Sequence, residues 1–181
     1  MQPVDQLEPE FLLDHARRLT SGSGRPYTAD TRRAASAAYY AAYHATAAAA
    51  AGHLFGGDGR LLGVRWFSHQ AVINASRLVS RLGPATAADP GAGAEQHRDR
   101  AIWEIFQAVS GAQIDLLEVM DLLRSLKVER EIADYDRTRP VYRSSVRNLV
   151  SQASTVVSFL TSERQADTDT QVFLGLVALR S

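Results

Sequence analysis

Apolar residues recur along most of this chain at steps of three and four, and no run of alternating β-branched residues suggests a strand. The first such segment runs from about Glu8 to Leu19, with Leu12, Ala16 and Leu19 as its inner stripe, and stops at Ser21-Gly22-Ser23-Gly24. A second begins after Pro26, with Thr28 or Asp30 as N-cap, and continues to about Leu54. It is dense in alanine, which has the best helix propensity and lets neighbouring helices approach closely. This helix is therefore expected at the centre of a bundle or at a subunit interface; Gly56-Gly57-Asp58-Gly59 ends it.

A third helix is predicted over Val64–Leu82, with Phe67, Ala71, Ala75, Leu78 and Leu82 as its buried stripe. Gly83-Pro84 stops it, and a loop follows through Asp89-Pro90-Gly91-Ala92-Gly93. A fourth is expected from about Gln96 to Val128, facing inward with Ile102, Phe106, Val109, Leu116, Met120 and Leu123. Gly111 lies inside it, as a bend or a point of close approach. The fifth follows Pro140, with Tyr142, Val146, Leu149, Ala153, Val156 and Leu160 on its inner face. The expectation is an all-α, up-and-down bundle of about five main helices over residues 1–164. Residues 165–181 form a tail whose apolar stretch, Val172–Leu179, is either a docked short helix or a subunit contact.

Composition narrows the chemistry. The 181 residues include no cysteine, which removes disulfides, thiolate metal sites and cysteine nucleophiles. The N-terminal MQPVDQLEPE has no basic segment leading into an apolar run, unlike a secretory signal. The longest apolar stretch is far short of the roughly 20 residues a membrane helix needs. A cytoplasmic location without membrane contact is expected. Net charge is zero, so no global electrostatic footprint for nucleic acid exists. Charge is unevenly placed, however: Arg32, Arg33, Arg60, Arg65, Arg77 and Arg81 face only Asp58 between Thr31 and Ala88. A locally basic face can still steer an anionic partner.

Two segments carry candidate chemistry. In the second helix, Arg33, Tyr40 and His44 fall on one face at steps of seven and four. A guanidinium, a phenol and an imidazole in a row can bind phosphate and relay a proton. The same tyrosines and histidine also suit a packed, hydrogen-bonded interior. In Leu126–Arg137, Arg130 and Asp134 are four apart and can pair across a helix turn. Asp134 and Asp136 near a helix C-terminus face an unfavourable dipole, so either a local partner holds them or the segment is not helical. Arg65 and His69 form a weaker pair at the same spacing. There is no Gly-Lys-Ser/Thr phosphate loop, HExxH pair, nucleophile elbow or repeated Glu-x-x-His motif. The histidines at 15, 44, 53, 69 and 97 lack metal-ligand spacing, and neither metal nor cofactor is expected.

Arg32-Arg-Ala-Ala-Ser-Ala-Ala-Tyr-Tyr-Ala-Ala-Tyr-His44 resembles the arginine-led, tyrosine-pair, histidine-ended second helix of many bacterial HEPN-family proteins. Glu129-Arg-Glu-Ile-Ala-Asp-Tyr-Asp136 is similar to the arginine-led Ala-Asp-Tyr segment between their fourth and last long helices. The order of elements agrees over Glu8–Arg164, with the tail outside the match. The resemblance implies a helical bundle that commonly dimerises, often in toxin–antitoxin or other defence systems, sometimes beside a nucleotidyltransferase or antitoxin partner. Many members are metal-independent ribonucleases; others bind RNA or nucleotide without cleaving, or act as scaffolds. The ribonucleases carry an arginine followed a few residues later by histidine. Arg130 matches the arginine, but Asp134 and Tyr135 stand where the histidine would follow. Aspartate does not provide the imidazole's proton switch near neutral pH.

The expected function is thus a non-catalytic dimer that binds RNA, nucleotide or a protein partner, with Arg33, Tyr40, His44, Arg130, Asp134 and Tyr135 lining its groove. One alternative is a divergent metal-independent endoribonuclease, using Arg130 to stabilise a pentacovalent phosphate and His44 as acid or base. The other is a purely structural interaction module with the alanine-rich helix as dimer seam.

Overall fold

The structure, a computed structural model, describes residues 8–22, 28–56, 66–91, 93 and 96–179. The fold is an all-α helical bundle: the described residues form seven α-helices and no strand. These are α1 (Pro9–Ser21), α2 (Thr28–Phe55), α3 (His69–Leu82), α4 (His97–Ala108), α5 (Ile114–Tyr135), α6 (Arg143–Thr161) and α7 (Thr168–Ala178). A 3-10 turn, Glu163–Ala166, precedes α7. The chain divides into two compact units. One comprises residues up to Thr46 with Leu122–Thr161; the other comprises Ala47–Asp121 with residues from Ser162 onward. Both α2 and α5 contribute residues to each.

In the first unit, α1 packs on α6. The buried stripe of α1 is Leu13, Ala16 and Thr20: Ala16 is buried as expected, while Leu12 and Leu19 are half-buried and the next residue takes the inner place of each. A threonine is tolerated inside because its hydroxyl bonds back to the carbonyls of Ala16 and Arg17, both at 3.1 Å, and leaves no polar atom unmet. The end of α1 is capped from α6: Arg147 Nε and Nη2 donate to the Thr20 carbonyl at 3.1 and 2.9 Å, and Arg143 donates to the Gly22 carbonyl. Cationic groups at the negative end of a helix satisfy its orphan carbonyls and oppose its dipole. On α6, Val146, Leu149, Ala153, Val156 and Leu160 are buried as the spacing predicts. Tyr142 is not: the helix starts after it, and the ring is exposed. Val141 and Tyr142, between Pro140 and the first turn, belong to the connection from α5. There Asp136 Oδ1 accepts from Thr138 N and Oγ1 and from Arg139 N. These bonds, with Thr138 foremost, hold its carboxyl below the usual carboxylate range.

The alanines of α2, from Ala34 through Ala51, are almost all buried within the single chain. That burial agrees with the close helix packing which alanine's small side chain permits.

In the second unit the long fourth helix is two helices. Ser110 and Gly111 both take left-handed backbone (φ 66° and 90°), and Gly111 N donates to Phe106 O at 2.7 Å, closing α4 before α5 begins. Gly111 is thus a helix stop rather than a bend. A Cβ there would lie 2.6 Å from Ala85 N, so the glycine also admits a close backbone crossing. Ala112 N donating to Gly83 O at 2.7 Å fixes that crossing. The break turns Val109 out to solvent, whereas Ile102, Phe106, Leu116, Met120 and Leu123 remain inside. The third helix begins at His69, because Ser68 is an N-cap whose Oγ accepts from Ala71 N at 3.0 Å; its expected start at Val64 lies outside the described residues. Phe67, Ala71, Ala75, Leu78 and Leu82 are all buried.

The apolar stretch near the C-terminus is a docked helix. α7 packs on α3 and buries Phe173, Leu174, Leu176 and Val177 within the chain. Buried Asp169 accepts from Gln113 N at 2.8 Å, and Arg164 reaches Gln113 Oε1 at 2.7 Å, so the start of α7 is pinned to the α4–α5 elbow. Arg60, Arg65 and the Gly57-Asp58-Gly59 stop lie outside the described residues.

Candidate functional site

The second and fifth helices meet in the first unit through a stripe of polar side chains. Arg32, Ser36, Tyr40 and His44 follow one another on α2 at steps of four, which places them along one ridge. Arg130, Asp134 and Tyr135 supply the facing groups from the last two turns of α5.

Arg130 is the hub. Its Nη2 donates to the Tyr40 hydroxyl at 2.9 Å. Its Nε lies 2.7 Å from Asp134 Oδ2, an ion pair whose N–H is not aligned for a hydrogen bond. The guanidinium also sits over two rings, 5.4 Å from the centre of Tyr40 and 5.2 Å from that of Tyr135. Its side chain is 18% exposed and that of Asp134 27%, so the pair is screened less than a fully solvated one. Burial opposes the charge on Arg130 and is the largest single influence, yet Tyr40, Asp134 and Tyr135 together outweigh it and raise the pKa. Asp134 is held at its other oxygen by Ser36, whose hydroxyl donates to Oδ1.

Arg32 fastens the same helix end from beside this cluster. Nη1 contacts the carbonyls of Ile132, Ala133 and Asp136 at 3.1, 2.8 and 2.9 Å, and Nη2 donates to Arg139 O at 2.7 Å. Two carboxylates at the negative end of α5 are thereby accommodated: Arg32 covers the carbonyls, Arg130 and Ser36 hold Asp134, and the Thr138 turn holds Asp136. The segment is helical through Tyr135 because these partners exist.

Tyr40, Arg130, Asp134 and Tyr135 are therefore brought together. His44 is attached only through rings, 6.3 Å from Tyr40 and 5.2 Å edge-on to Tyr43. Half-buried, it has its pKa lowered by desolvation, which favours the neutral imidazole. Tyr39 and Tyr43 pack behind it, with their hydroxyls pushed by burial above the ordinary phenol range. Arg33 does not join: it is exposed and makes no hydrogen bond or ion pair with the described residues. Arg32 and Ser36 take the place assigned to it. Both lie at four-residue steps from Tyr40, and that spacing was the available signal. His69, the described member of the weaker pair, opens α3 in the other unit.

Chemically the cluster is a closed clasp. Arg130 is neutralised by a carboxylate on its own helix, oriented by a phenol and placed over two rings, and no imidazole touches it. Among the described residues, no group of three or more His, Asp or Glu side chains is placed to hold a metal ion. None of their helices is long and apolar enough to cross a membrane. No family model, curated protein or solved structure matches the chain.

Proposed function

We propose that this chain is a non-catalytic, HEPN-like helical module that binds RNA or nucleotide as a dimer in a defence or toxin–antitoxin setting. The observation that carries the non-catalytic half is the state of Arg130. A phosphate-stabilising guanidinium must be free to meet charge that develops in the transition state. Here it is already paired with Asp134 and bonded to Tyr40, and the carboxylate stands where an imidazole would supply a proton switch. The RNA or nucleotide half is supported by the two HEPN-like segments and by arginine-rich stretches on an otherwise neutral chain.

The test is incubation of purified protein with total RNA in EDTA, beside an Arg130→Ala variant, together with filter binding across a salt series. Expected are no cleavage and binding that weakens as salt rises. Cleavage by wild type and not by the variant would overturn the non-catalytic reading in favour of a ribonuclease. Absence of any salt-sensitive binding would remove the ligand and leave a structural module. The dimer is tested by sedimentation at high concentration, where a monomer would overturn it.

A further inference from the structure

The Arg130 clasp between α2 and α5 is closed within the chain, but a second polar site in the same unit is open. Between the last turn of α1 and the first half of α6 lies an open cleft of about 400 Å³. Arg17, Thr20 and Ser21 line one wall, and Arg147, Ser151 and Ser154 line the other, with Val150 as an apolar floor. Among the described residues, no carboxylate belongs to its lining. We infer that this cleft is a binding site for a phosphate monoester carried on a nucleoside-sized body. The inference deepens the RNA- or nucleotide-binding reading and rests on it, moving the anion site from the clasp to the α1–α6 cleft.

The donors decide the chemistry. Arg147 spends Nε–H and one Nη2–H on a single acceptor, the Thr20 carbonyl. A guanidinium has five N–H groups, so the rest of its fork is unclaimed by the described residues. No carboxylate among them pairs with it. Arg17 is half-neutralised by Asp14 at 2.8 Å, outside the cleft, and points its other nitrogen in to Ser154 Oγ at 3.2 Å. Ser154 accepts there and keeps its own proton to donate, as does Ser151 beside it. The hydroxyls of Thr20 and Ser21 are already turned back to carbonyls of α1, so they line the wall without competing for the ligand.

Two guanidiniums and two hydroxyl donors converge on a cleft to which no described carboxylate contributes. That set matches a phosphate monoester, which carries about −1.5 to −2 charges at neutral pH and three acceptor oxygens. The negative end of α1 would oppose an anion, but Arg147 and Arg143 sit on its last carbonyls and offset that field. The volume falls in the range of small-molecule pockets, roughly 300–1,000 Å³, and exceeds what bare phosphate fills; Val150 offers an apolar contact to the remainder.

The experiment is calorimetric titration of the full chain with adenosine monophosphate, inorganic phosphate and unphosphorylated adenosine, repeated on Ser151→Glu. That substitution sets a carboxylate into the cleft, one helical turn from Arg147, and removes no packing. Expected is binding of the monophosphate, competition by phosphate, no binding of adenosine, and a loss of at least about tenfold in affinity in the variant. Arg147→Gln, checked by its melting curve because it uncaps α1, should lose as much. A short 5′-phosphorylated RNA that competes with the mononucleotide would assign the phosphate to an RNA end; failure to compete would assign it to a free metabolite. Either supports the site. Monophosphate binding that is unchanged in Ser151→Glu overturns the cleft while the nucleotide reading survives. So does adenosine binding as tightly as its phosphate. No binding of any phosphate compound by wild type up to about 10 mM also overturns it, and the salt series with RNA then decides separately whether the binding reading stands.

Discussion

Removing the Arg32 guanidinium tests how the end of α5 is held. Four contacts reach backbone carbonyls, but three of them share Nη1, which has only two protons, so at most three hydrogen bonds are made. A hydrogen bond to a charged group contributes about 1.5–3 kcal/mol where both partners are buried. These carbonyls are at a helix end and partly reach water once the arginine is gone, so the terms do not add. A total of about 2–3 kcal/mol is expected for Arg32→Ala. At about 2–4 °C per kcal/mol for a chain of this length, the melting temperature falls by about 4–12 °C. Arg32→Lys keeps the charge facing the helix end, worth about 0.3–1 kcal/mol, but loses the planar fork, and should fall between the two. Thermal melts by far-UV circular dichroism, with a urea series to check that the slope is unchanged, give the comparison. Arg32→Ala within about 0.5 kcal/mol of wild type, the ordinary scatter of surface changes, would refute the clamp. Arg32→Lys equal to wild type would refute the role of the fork.

Tyr40→Phe removes the acceptor of Arg130 Nη2 and keeps the ring beneath the guanidinium, so a loss of about 0.5–1.5 kcal/mol in chemical denaturation is expected. Gly111→Ala combines a left-handed φ with a Cβ 2.6 Å from the Ala85 nitrogen; a destabilisation of more than about 2 kcal/mol should follow, and a neutral result would contradict the close crossing. His44 has a lowered pKa, so in the window just below its ordinary value of 6.5 the unfolded chain binds more protons than the folded one. Its contribution to stability is therefore present above that value and is lost as pH falls toward the folded pKa. His44→Gln should flatten that part of a melting-temperature profile taken from pH 8 to pH 5, and an identical slope in both proteins would count against burial of the ring.

Helix periodicity and stop signals are local properties, and they were readable from the chain. The inner stripes of α3 and α6 are buried almost residue for residue, apart from Tyr142. The alanine density of α2 required a crowded neighbourhood, and α2 has one. The Arg130–Asp134 pair follows from four-residue spacing on a helix and needs nothing else. What lay beyond the sequence were relations between segments remote in the chain. Both Arg32 and Arg33 border the polar ridge of α2; only the position of α5, about a hundred residues later, makes Arg32 the clamp and leaves Arg33 in water. Periodicity leaves Gly111 as a bend or a point of close approach; the backbone of Ala85 crossing beside it shows the close approach, and the left-handed turn at Ser110 and Gly111 makes it a helix stop instead of a bend. The α1–α6 cleft was invisible for the same reason. Serines and arginines on two distant amphipathic helices read as ordinary solvated faces until packing sets them opposite each other, because spacing along one helix determines which side chains share a face but not what that face will meet.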